Sequence, residues 1–99
     1  MNIIKLKEKV KFNRQFSPQI MYISPSLKVP LICLEAGQEI PPHPSGAGIF
    51  CVLEGKGVMV VGEKEVSLSP GQVVVAPEGS KRGIKAIENL VALAFHLSS

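Results

Sequence analysis

Short runs of branched and aliphatic residues, each cut off by glycine or proline, set the pattern of this chain. No segment keeps a helical period for three turns, while the runs are the kind that pack on a pleated surface. Residues 5–12 alternate, with lysines at 5, 7, 9 and 11 and Leu6, Val10 and Phe12 between them, Glu8 interrupting. Further strands are expected at 21–23, 29–34 (broken by Pro30), 49–53, 58–61, 65–68 and 73–76. A last hairpin is expected from 82–87 and 90–97 around Glu88-Asn89. Roughly eight to ten short strands at spacings of about eight to twelve residues, with no crossover helix, predict an all-β sandwich or barrel.

Composition narrows the picture. Ninety-nine residues with 45% apolar side chains are read as one domain, 1–99, with one modest core. A net charge of +3, 5% aromatics and no Trp argue against a nucleic-acid platform. No apolar run reaches the roughly 18 residues of a membrane span. Charge enters the N-terminus too early for a secretory signal, so the expected location is cytoplasmic, with Cys33 and Cys51 as free thiols. The lysine comb at 5–11 reads first as a solvated face or a guarded sheet edge, and second as an anion-binding surface.

Candidate chemistry gathers in two stretches. Gly37 is followed after five residues by His43, then by Ser45, with Gly55 closing a hairpin downstream. Gly71, Pro77 and Gly79 keep a second fixed spacing, with Arg82 and Ala86 beyond them. Together these stretches resemble the two motifs of the cupin superfamily over about residues 37–86. The resemblance implies a double-stranded β-helix, a jelly-roll-like barrel of two antiparallel sheets. It also implies a homodimer, in which the N-terminal region 1–23 is a candidate for exchange between subunits.

The same resemblance places four metal ligands, and this chain retains one of them, His43. Ser45 stands at the second His position, Ile49 or Gly48 (depending on the spacing) at the Glu position, and Arg82 at the last His position. Strand alternation is expected to send His43, Ser45, Ile49, Cys51 and Leu53 into the barrel together. No cofactor is firmly expected. A divalent transition metal on His43, with Cys51 and His96 as partners, would be a soft N/S site suited to zinc or copper. Arg82 has two readings: a rim residue pointing to water, or a buried guanidinium paired with Glu39 or with an anionic ligand. No nucleophile triad, phosphate loop or dinucleotide fingerprint is present.

The leading reading is a cupin-like barrel that holds a small molecule, favoured as anionic, with His43, Ser45, Cys51 and Arg82 around it. The alternatives are a metal-dependent isomerase or dioxygenase built around His43, and a structural or regulatory partner protein acting through its surface.

Overall fold

The computed structural model describes residues 1–98 and contains nine strands in two antiparallel sheets. In chain order they are β1 (Gln19–Ile23), β2 (Leu27–Leu34), β3 (Glu39–Pro44), β4 (Gly48–Glu54), β5 (Gly57–Val61), β6 (Lys64–Leu68), β7 (Val73–Ala76), β8 (Lys81–Ala86) and β9 (Leu90–Leu97). The larger sheet runs β1-β2-β9-β4-β7 and the smaller β3-β8-β5-β6. The chain crosses repeatedly between the two sheets, so the core between them draws on strands far apart in sequence.

That core is built by alternation. Ile32 and Leu34 from β2, Phe50 and Val52 from β4, and Leu90, Ala92 and Ala94 from β9 point inward from the larger sheet. Met59, Leu68, Ile84 and Ala86 meet them from the smaller sheet. Each large side chain so buried contributes roughly 1.5–3 kcal/mol relative to exposure. β2 is buried on both faces, from Val29 to Leu34, because a second cluster lies outside it. There Leu6, Val10, Phe12 and Met21 pack over Leu31, Cys33 and Val91. Both cysteines are free thiols.

Two sequence expectations change. Residues 5–12 form no strand; Leu6–Glu8 make one 3-10 turn, and Leu6, Val10 and Phe12 lie on the outside of β2 rather than extending a sheet. Their apolar side chains gain more by capping an exposed sheet face than by forming an edge strand. Conversely, Glu39–Pro44 is a strand despite three prolines. It is an edge strand, paired only with β8, and the pairing register shifts between Ile40 and His43, at Pro41-Pro42. Prolines without N–H groups are tolerated at such an edge bulge. Pro30 lies inside β2 opposite Ile20 of the edge strand β1, where the β1–β2 register shifts between Ile20 and Tyr22.

Gly55 turns the chain from β4 into β5 at φ +84°, and a Cβ there would lie 1.9 Å from the Asn89 carbonyl oxygen. Both the torsion and the backbone neighbour exclude a side chain. Gly55→Ala is therefore expected to lower stability by more than the ~1–2 kcal/mol of the left-handed conformation alone. An unchanged urea midpoint would show that the turn relaxes freely.

Candidate functional site

One end of the space between the sheets opens as a mouth. Its inner part, about 60 Å3, is bounded by His43 from β3, Phe50 from β4, Arg82 and Ile84 from β8, and His96 from β9. An outer part of about 170 Å3 shares Ile32, Ile40, His43 and His96 and adds Phe16, Pro18, Lys28 and Pro30. At roughly 30 Å3 per water, the two parts suit a small organic molecule. The walls are mostly apolar, and among the described residues no carboxylate lines either part.

Arg82 alternates inward with Ile84 and Ala86 and is only 2% exposed. Its Nη1 donates to the Gly46 carbonyl at 2.7 Å, in the β3–β4 connection. Its Nη2 donates to the Pro77 carbonyl at 2.9 Å and to Ser80 Oγ at 3.2 Å, in the β7–β8 connection. The two connections are tied again where Gly79 N–H donates to the Ser45 carbonyl at 2.8 Å. All these Arg82 acceptors are neutral, and Nε is buried with no partner among the described residues. Burial lowers the guanidinium pKa, yet arginine keeps its proton. The result is a buried positive charge with one donor unused.

His43 lies opposite Arg82 in the β3–β8 ladder, and its Nδ1 is 3.0 Å from the Pro41 carbonyl. A proton on Nδ1 satisfies that carbonyl and leaves Nε2 free as an acceptor. His96 sits between Lys28 and Gly48 in the larger sheet. Its ring meets Phe50 edge-on, with centroids 5.4 Å apart and planes at 79°. Gly48 makes room for this pair, since a Cβ would fall 3.1 Å from the Phe50 ring and 3.3 Å from His96 Nδ1. Burial pushes the His96 imidazole below its ordinary value of 6.5, and the charges of Lys28, Arg82 and His43 push the same way. His96 is accordingly neutral near pH 7, with its buried Nδ1 unpartnered among the described residues.

The expected face-sharing from His43 to Leu53 does not hold. The chain bends at residues 45–47, between β3 and β4, and the alternation restarts one residue out of phase. Gly48, Phe50 and Val52 face the core, and Ile49, Cys51 and Leu53 face outward. Cys51 is thus on the far side of the sheet from His43, and Ser45, in the bend, does not line the mouth. Glu39 pairs with Lys85 and lines a separate groove with Val58 and Val60 on the outer side of the smaller sheet, so it is no counter-charge for Arg82. Lys28 escaped the sequence reading, although extending the alternation of 29–34 back by one residue puts it on the face of Ile32.

The donor set does not fit the metal centre considered from sequence. A catalytic transition metal takes about three protein ligands. Here two imidazoles share the mouth with a fixed cation, and among the described residues no group of three His, Cys, Asp or Glu side chains is placed to hold a metal ion.

The fold and site define a small β-barrel with an apolar lining and a cationic mouth. The chain belongs to the cupin family: the family model described as a cupin domain matches residues 30–96. Among solved structures, it is similar to an RmlC-like cupin protein from Desulfovibrio desulfuricans, with 29% identity, a TM-score of 0.87, and 98% of this chain and 96% of the other covered. A Thermus thermophilus protein matches with 26% identity and a TM-score of 0.91, over 98% and 97% of the two chains. A conserved Streptococcus pyogenes protein of unknown function shares the fold at 22% identity and a TM-score of 0.88, over 99% and 88%. No curated protein matches the chain.

Two outcomes are expected. Because the folded His96 binds its proton less readily than the unfolded chain does, its contribution to stability is complete above pH 6.5 and is lost as pH falls through the lower folded value. The urea midpoint should therefore drop between pH 7.5 and 5, and drop less in His96→Gln; parallel pH profiles for the two proteins would contradict this. Secondly, chelation should leave the melting temperature unchanged. A chelator-sensitive melt, restored by added zinc, would mean that His43 and His96 have a third ligand.

Proposed function

We propose that this cupin binds a small anionic molecule with an apolar body in the mouth of the barrel, and that binding rather than metal chemistry is its role. The observation that carries the reading is Arg82, a buried guanidinium whose partners among the described residues are all neutral and whose Nε–H has none there. A buried charge without a counter-ion is costly, and an anion entering the mouth offsets that cost. Lys28 adds a second positive charge at the outer part, which favours approach of an anion. His43 Nε2 and the neutral His96 offer orienting hydrogen bonds, while Ile32, Ile40 and Phe50 receive the apolar body.

The metal-dependent enzyme is the second reading, favoured only by the shared position of His43 and His96. Ser45 and Cys51 have no part in either reading, because neither lines the mouth.

The test is calorimetry with benzoate and with its neutral isostere benzamide. Benzoate is expected to bind and benzamide to bind at least tenfold more weakly. Lys28→Ala and His43→Ala should each weaken benzoate by about tenfold, or ~1.4 kcal/mol, and added salt should weaken it further. These exposed-side substitutions are preferred to Arg82→Ala, which also removes donors from two connections and is expected to cost about 2–4 kcal/mol of stability. Equal affinity for the two probes, or no benzoate binding at millimolar concentration, would sink the proposal.

A further inference from the structure

A sheet edge is a row of unpaired backbone donors and acceptors, and folded proteins guard such edges. The two sheets here end in β1, β7, β3 and β6. β1 is broken by a register shift between Ile20 and Tyr22, and β3 by one between Ile40 and His43, while β6 carries Lys64 and Glu65. β7, Val73–Ala76, has none of these guards. Its register with β4 is unbroken, and it holds no charge and no proline. Its one restraint is its length of four residues.

The direction of its backbone groups follows from β4. Val52 N–H donates to the Gln72 carbonyl at 2.9 Å, and the Val52 carbonyl accepts from Gly71 N–H at 2.9 Å. Val52 therefore turns its backbone groups toward β7, and by alternation so do Phe50 and Gly48, the partners of Val74 and Ala76. Val73 and Val75 turn their N–H and C=O groups the other way, to the open edge, and are 60% and 65% exposed. Beside that edge a groove of about 370 Å3 lies between β7 and the smaller sheet, with Val61, Val66, Val74 and Pro77 in its walls. Lys64 is the charged side chain among its lining residues. The groove shares no residue with the mouth, so what binds at one leaves the other open.

We infer that β7 is a docking edge for an extended peptide segment of another protein, apolar at alternate positions and acidic at one end. An added strand lies about 4.8 Å from β7 and exchanges hydrogen bonds with Val73 and Val75. Every second side chain then points into the groove, where the valines receive it, and a carboxylate at the end reaches Lys64. A row of N–H and C=O groups is matched in register by another backbone, which is why the occupant is a chain and not a compact ligand. A second copy's β7 would bring no carboxylate to Lys64.

The test uses the full chain and a labelled hexapeptide of alternating valine and threonine with a glutamate at each end, read by fluorescence anisotropy and amide hydrogen exchange. The peptide is expected to bind and to slow exchange at Val73 and Val75 while leaving Val74 unchanged. The same peptide with N-methylated backbone amides should bind at least tenfold more weakly. Val75→Pro, which removes an N–H that β4 does not use, should also weaken binding at least tenfold with the melting curve retained. Lys64→Glu should weaken it at least threefold, and a peptide with lysine ends should restore binding to that variant. No binding at millimolar peptide, equal binding of the methylated peptide, or binding without protection at Val73 and Val75 overturns the inference. Slow exchange at both amides before peptide is added would mean that a second copy already holds the edge, and overturns the peptide as its occupant. An affinity indifferent to Lys64→Glu overturns the acidic end.

Discussion

A guanidinium taken out of water must have its charge and its donors met nearby, and in this barrel that demand organises one whole end of the molecule. Arg82 meets it by drawing the carbonyls of Gly46 and Pro77 and the hydroxyl of Ser80 onto its two terminal nitrogens. Those acceptors belong to connections that are far apart in sequence, β3–β4 and β7–β8. Their closure around one side chain ties the two connections together. Carbonyl dipoles satisfy hydrogen bonds without neutralising charge, so the end of the barrel stays positive. Beside it His96 is held neutral, by its own burial first and then by the charges of Lys28, Arg82 and His43, and among the described residues no acid lines the opening.

The turn glycines of the two cupin-like motifs, Gly37, Gly55, Gly71 and Gly79, all take positive φ, and they frame the space between the sheets. Within that frame lie the imidazole of His43 and the guanidinium of Arg82, and Gly48 leaves a gap that the rings of Phe50 and His96 fill. The opposite side of the same sheet obeys a simpler rule. Residues turned outward by alternation, Ile49, Cys51, Leu53, Val73 and Val75, are apolar, with Val73 and Val75 the most exposed of them at the sheet edge.

Most strands were legible because their signals are local. The runs at 73–76 and 90–97 coincide with β7 and β9, and the others agree to within a residue or two. The glycines and Pro77 of the two motifs were readable for the same reason, since a tight turn restricts residue type wherever it occurs. The lysine alternation at 5–11 misled because a period of two states only that one face is apolar. It does not say whether that face joins a ladder or caps one. The Pro41-Pro42 pair hid β3, because a bulged edge strand tolerates what an interior strand rejects.

The sequence by itself determined the fold class and the frame of turns. Each is a property of neighbouring residues and their backbone torsions. Only the tertiary structure decided which side chains meet. A one-residue change of phase at the bend of residues 45–47 sends Cys51 out and Phe50 in, and no local signal records that change. His96, Lys28 and Arg82 converge because β9, β2 and β8 are brought together by packing across two sheets. Contacts between such distant strands depend on how the whole core closes, and that is settled only by the burial of all its apolar faces at once.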